Sequence, residues 1–212
     1  MKCHIKESEE SVMSKKQSIL FIHGAQGSGK STVTNLLREK MTHATLLRLA
    51  GVPSNQEEAN RQALRYHVAM LEAVNQAYGT GMNFIFDRSY LCEKVYANLG
   101  FKTHSFEKEI KVITTGMKEL VKRYNVYFVL LTASEEVFEK RLKREGKAVF
   151  ESVQFSPINS ITQQEEYLNE FEDLPEEVGV LIIPTNQMTA EEVADFIMEA
   201  IREEEENEEE NY

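Results

Sequence analysis

The sequence predicts an α/β domain: a doubly wound, five-stranded parallel sheet flanked by helices, with a small lid. Three observations point there. Apolar runs of strand length alternate with helical patterns along the chain. Two of the runs, Tyr127-Phe128-Val129-Leu130-Leu131 and Val178-Gly179-Val180-Leu181-Ile182-Ile183, are nearly continuous, as suits strands buried on both faces of a parallel sheet. The first run leads through a glycine-rich turn directly into a helical pattern, and helical crossovers impose parallel pairing and right-handed units.

The elements follow in order. Residues 1–16 are polar, lack the apolar stretch of a secretory signal and read as a disordered leader. The domain proper is expected over 17–202. Its strands fall at 18–23, 44–49, 82–87, 126–132 and 178–184, where apolar and β-branched residues cluster. Helical periodicity places helices near 29–41, 56–78, 88–98, 104–124, 134–146, 160–172 and 189–204. The stretch 143–159, rich in Lys and Arg and then broken at Pro157, is the least regular part of the middle of the chain, which makes 144–158 the expected lid. Residues 203–212 carry seven glutamates and no base, and read as an acidic tail, the solvated and frayed end of the last helix.

Composition narrows the function classes. The formal charge is −11, and setting the seven tail glutamates aside leaves −4. That balance argues against a duplex nucleic-acid substrate. No run of 18 apolar residues exists, so no membrane span is expected. Cys3 and Cys92 are the only cysteines, one in the polar leader and one in an expected helix. They read as free thiols in a reducing compartment, hence a cytoplasmic location. No Cys/His cluster suggests a structural metal.

The chemistry starts at Gly24-Ala25-Gln26-Gly27-Ser28-Gly29-Lys30-Ser31, followed by Thr32. The spacing is that of a phosphate-binding P-loop between strand and helix. Gly24, Gly27 and Gly29 let the backbone N–H groups of the loop, Gln26 and Ser28 included, turn toward a phosphate. The positive end of the following helix faces the same anion. Lys30 is expected as a mobile, solvent-facing charge for the β- and γ-phosphates, and Ser31 as a hydroxyl ligand to Mg2+. The chain is therefore expected to bind a nucleoside triphosphate, ATP, with Mg2+.

A second constellation ends the third strand: Phe86-Asp87-Arg88-Ser89-Tyr90. An acid at the carboxyl end of a buried strand lies at the mouth of the sheet, beside the P-loop. Asp87 there can hold Mg2+ or take a proton from a phosphoryl acceptor, and Arg88 would enter the same cleft. The plain alternative is that Asp87 caps the next helix. Arg141 and Arg144, three apart in Glu135–Lys147, share a helix face and suit the cations that phosphoryl transfer requires; otherwise they complement a helix C-terminus. Arg61 and Arg65 are four apart on one face, either near an acceptor or simply solvated. Tyr90, Tyr96 and Phe101 could stack on a base or pack in the core, and His23 reads as a packing residue at a strand end.

The P-loop, the Asp-Arg-Ser strand end, the long helix between strands two and three and the basic helix end after strand four resemble the thymidylate kinase family, and more broadly the P-loop nucleoside and nucleotide kinases. The run from Phe86 to Ala97 also resembles the Glu-Arg-Ser segment of deoxynucleoside kinases. The resemblance covers about residues 18–200 and implies the nucleotide-kinase form of the α/β fold. It implies that Arg88 grips an acceptor phosphate, with Arg48 near it, although the expected Pro-Gly-Gly turn is here Leu49-Ala50-Gly51-Val52-Pro53-Ser54. Arg61, Arg65 and Tyr96 are the further acceptor candidates, and a homodimer is the association such a resemblance suggests.

Two enzyme readings follow. A monophosphate kinase, acting on dTMP or a related dNMP, needs no general base, because its acceptor is already ionised near pH 7. A deoxynucleoside kinase attacks with a neutral hydroxyl and calls for a carboxylate at the end of strand two, where residues 46–55 hold Arg48 and no acid. The remoter reading is a non-catalytic P-loop switch or regulatory protein. The guanine-reading Asn-Lys-x-Asp of a GTPase is not found after strand four.

Overall fold

The computed structural model describes residues 16–48, 57–101, 107–144 and 156–210. The expected leader up to residue 15 and residues 145–155 of the expected lid lie outside the described residues. Among the described residues the chain forms five strands and seven helices. They are β1 (Ser18–His23), α1 (Lys30–Lys40), β2 (Ala44–Arg48), α2 (Glu57–Gln76), β3 (Asn83–Asp87), α3 (Tyr90–Asn98), α4 (Glu107–Leu120), β4 (Asn125–Thr132), α5 (Glu135–Arg144), α6 (Pro157–Glu172), β5 (Gly179–Pro184) and α7 (Ala190–Glu210).

The sheet order is β2-β3-β1-β4-β5, all parallel. β1 lies at the centre, and the order reverses beside it, which opens a crevice beyond the carboxyl ends of the strands. Alternate residues of β1 feed opposite layers. Ile19 and Phe21 join Phe84, Phe86, Phe128, Val74, Val95 and Phe171 on the side of α2, α3, α4 and α6. Leu20 and Ile22 join Val33, Leu37, Val129, Leu131, Ile197 and Ile201 on the side of α1 and α7.

Two expectations need correction. β5 is not buried on both faces: it is the edge strand, and Leu181 and Ile183 pack toward α7 while Val180 and Ile182 stay 41% and 49% exposed. An edge strand has a neighbour on one side only, and an apolar run cannot reveal that. Pro157 does not break a lid: it occupies the first turn of α6, where its missing N–H is not needed, behind Ser156, whose side chain accepts from Asn159 N–H at 3.2 Å. α7 continues through the acidic run that begins at Glu203, to Glu210. Its start is a reciprocal capping pair, with Glu192 accepting from Thr189 N–H at 2.7 Å and donating its own N–H to Thr189 Oγ1 at 3.2 Å. No helix among the described residues is long and apolar enough to cross a membrane.

Candidate phosphate-transfer site

The loop between β1 and α1 takes three left-handed turns, Gly24 at φ 145°, Gly27 at 84° and Gly29 at 94°. A Cβ on Gly24 would sit 2.5 Å from Leu131 O and 2.6 Å from Ser28 Oγ, so both space and dihedral require glycine. Behind the loop, Gly27 faces Phe138 and Leu142 of α5. Gln26 is half-buried, Ser28 buried, and Ser31 and Thr32 are exposed at the start of α1.

Lys30 departs from the expected solvent-facing charge. It is 6% exposed, and its ammonium donates to Gly24 O at 2.7 Å, Ala25 O at 2.8 Å and Ser28 Oγ at 3.4 Å. The loop carbonyls thus solvate the charge, as burial demands.

Parallel pairing sets Ile22 of β1, Asp87 of β3 and Arg48 of β2 side by side. Ser31 Oγ donates to Asp87 Oδ2 at 2.9 Å. Arg48 Nε lies 3.7 Å from the same oxygen, and its Nη2 donates to Asn35 Oδ1 on α1 at 2.5 Å. Asp87 Oδ1 is buried and has no hydrogen-bond partner among the described residues. Asp87 does not cap α3: Ser89 does, accepting from Leu91 N–H at 3.2 Å. Hard oxygen donors, one of them unsatisfied, at the mouth of a P-loop fit a Mg2+ ion, which Ser31 and Asp87 would hold.

Arg88 is one of two described non-glycine residues with positive φ, at 84°, and its N–H donates to Ile22 O at 3.1 Å. A left-handed arginine is held there by its surroundings. Burial disfavours its charge, but the Cys92 thiol, the Tyr96 and Tyr167 phenols and Asp87 more than compensate and raise its pKa. Arg88 donates a hydrogen bond to the half-buried Tyr96, whose ring lies 5.9 Å from that of Phe101. Burial raises the Tyr96 phenol, and Arg88 pulls the other way. Arg48, Arg88, Asp87 and Tyr96 are thus gathered at one end of the sheet.

Arg141 is pinned rather than lid-borne. It donates to Ser28 O at 3.1 Å, to Thr185 Oγ1 at 3.0 Å and to Thr185 O at 3.0 Å, tying α5 to the P-loop and to the end of β5. Arg144 ends α5, and its side chain lies outside the described residues. Arg61 and Arg65 are exposed on α2, whose buried side carries Ala63, His67 and Val74. His23 packs, as expected: it is fully buried, its ring lies 5.6 Å from that of Phe128, and its Nε2 is 2.7 Å from Ser89 Oγ.

Sequence reasoning placed a helix at 160–172 but missed its contact with the P-loop. Gln163 Oε1 accepts from Gln26 N–H at 3.3 Å, and Ser160 Oγ donates to Gln26 O at 2.9 Å, so α6 holds both ends of that P-loop residue. The signal was there: Ser160, Gln163, Tyr167 and Glu170 recur at helical spacing and put polar groups on the face that should be apolar.

No protein-family model matches the chain, and no curated protein matches it. Solved structures do. Polyphosphate kinase 2 from Arthrobacter aurescens TC1 aligns with a TM-score of 0.62 at 18% identity, over 85% of this chain and 65% of that one, so this chain spans less than two thirds of that kinase's length. Thymidylate kinase from Candida albicans aligns at 0.59 and 14% identity, over 90% and 92%. Deoxyadenosine kinase from M. mycoides aligns at 0.55 and 15% identity, over 88% and 100%. The likeness is one of fold: this five-stranded parallel sheet with flanking helices is also that of P-loop kinases.

Proposed function

We propose that the protein is a P-loop kinase that transfers the γ-phosphoryl group of ATP, with Mg2+, to a nucleoside monophosphate, dTMP or a related deoxynucleotide. One observation carries the acceptor class. Two arginines flank Asp87, Arg48 paired with it across the sheet and Arg88 next to it in the chain. Such a pair suits an acceptor that carries a phosphate. A neutral nucleoside would leave the two cations to share the single carboxylate of Asp87, with no acceptor charge to balance the second.

The roles follow from position. The loop N–H groups and the α1 N-terminus cradle the triphosphate, and Lys30 turns from the Gly24 and Ala25 carbonyls to its outer phosphates. Ser31 and Asp87 would hold Mg2+, which would supply charge neutralisation on the phosphate oxygens. Arg88, steadied by Tyr96, binds the acceptor phosphate, and Arg48 lines the same side. Arg141 fixes the Ser28 carbonyl and so the shape of the loop, with Arg144 one turn on as a further cation. Catalysis is then positional and electrostatic.

The second reading is a deoxynucleoside kinase, and the unsatisfied Asp87 Oδ1 favours it, because a buried free carboxylate oxygen could take the proton of an attacking hydroxyl. An ADP-release assay across deoxynucleosides and their monophosphates separates the two. The first reading expects monophosphates to be preferred by at least ~10³ in kcat/KM, and Arg88→Ala to shrink that preference. Thymidine or deoxycytidine turned over as well as its monophosphate would overturn the first reading and promote the second.

A further inference from the structure

α6 carries four buried polar side chains on one face, Ser160, Gln163, Tyr167 and Glu170, exposed by 0%, 1%, 1% and 6%. Their spacing of three, four and three residues makes a single stripe along the helix. Buried polar groups on the inward face of a helix are costly unless each is bonded, and here two engage the P-loop and two engage α3. Ser160 and Gln163 grip the two sides of Gln26 in the P-loop. Tyr167, one turn on, hydrogen-bonds the Cys92 thiol of α3 and lies within electrostatic reach of Arg88. Its ring is also 6.0 Å from that of His23, at the end of β1. Glu170 accepts from Asn98 at 3.1 Å and ion-pairs with Lys94, both on α3. One rigid rod therefore touches the loop that would bind the triphosphate and the helix that follows Asp87 and Arg88.

We propose that Gln163 and Tyr167 are positioning residues through which α6 couples the two halves of the site. Order imposed on the P-loop at Gln26 is passed along the stripe to α3 and Arg88, and an anion at Arg88 acts back on the loop. The coupling rests on the reading of the P-loop as a triphosphate site given above. A second link, Ser31 to Asp87, joins the halves directly. The test must therefore vary α6 alone.

Hydrogen exchange of the full chain, with and without Mg2+ and the non-hydrolysable analogue AMP-PNP, provides it. In the wild type the analogue should slow exchange in the P-loop and also across residues 90–98, the latter by at least about fivefold, the lower end of ordinary coupling between sites. Gln163→Leu and Tyr167→Phe should keep the protection of the P-loop and bring that of 90–98 below about twofold. Tyr167→Phe removes one hydroxyl and keeps the ring, so it tests the coupling even if the buried Gln163→Leu variant does not fold. A merely structural role would raise exchange with and without analogue alike and leave the ratio unchanged. Protection of 90–98 that persists in Tyr167→Phe, or is missing from a wild type whose P-loop is protected, overturns the coupling and spares the nucleotide site. An analogue that protects nothing, even in the P-loop, overturns both.

Discussion

Acid should destabilise this protein through His23. The imidazole is fully buried at the end of β1. Its Nδ1 faces Phe21 O at 3.1 Å, an atom that only accepts, so Nδ1 carries the proton, and Nε2 accepts from the Ser89 hydroxyl at 2.7 Å. Burial, helped by the charge of Lys30, lowers its pKa from 6.5 to about 3, against the opposing hydrogen bonds to the Phe21 and Val129 backbone. Between those two values the unfolded chain holds a proton that the folded chain lacks. Stability is therefore complete above the unfolded value and is lost as the pH falls toward the folded one. The slope approaches about 1.4 kcal/mol per pH unit, and from pH 7 to pH 5 the loss integrates to about 2 kcal/mol from this group. His23→Phe keeps a ring against Phe128 and removes the titration. It should be less stable at pH 7 by about 1–3 kcal/mol, because Ser89 loses its acceptor. Its stability should nevertheless fall about 2 kcal/mol less than the wild type's on going to pH 5. Urea unfolding followed by circular dichroism at several pH values measures both. Parallel pH profiles for the two proteins would refute the argument.

Three further outcomes test the site. Lys30→Ala should cut turnover by ~10³–10⁵ in the coupled assay, the range for key cations in phosphoryl transfer, and near-normal turnover would mean this loop is not the triphosphate site. Arg141→Ala should worsen the KM for ATP about tenfold along with turnover, because it frees the Ser28 carbonyl and so loosens the loop; steady-state kinetics showing lower turnover at unchanged KM would mean that its partner is charge in transit instead. Asp87→Asn should raise the Mg2+ concentration for half-maximal turnover by ~10–100-fold, and an unaltered Mg2+ titration would remove Asp87 from the ion.

The strands were legible because parallel strands in a covered sheet carry apolar runs of about their own length. All five lie within a residue of their expected starts and ends. The Asp-Arg pair was legible because the strand's carboxyl end fixes where it must sit. What stayed hidden depends on neighbours distant in the chain. Val180 and Ile182 look like core in sequence, and only the strand order makes β5 an edge. Pro157 signals a break or a helix start equally well until Ser156 is seen to cap. The pinning of Arg141 needs Thr185, 44 residues away, and the grip on Gln26 needs Gln163, 137 residues away. The helical spacing of Ser160, Gln163, Tyr167 and Glu170 marks a polar stripe, but nothing in it names a partner at such a separation.

The folded-back Lys30 also bears on which anions the loop admits. With its ammonium against Gly24 O, Ala25 O and Ser28 Oγ, Lys30 already has three acceptors within the loop. An anion that takes the lysine's charge would compete with those acceptors. A lone inorganic phosphate offers one small set of oxygens in exchange for three existing bonds. A chelated triphosphate presents several sets at once, tethered to one another, so its later contacts form at high effective concentration. Under the proposed function, the lysine would set a threshold that favours polyanionic chains over the abundant simple ions of solution.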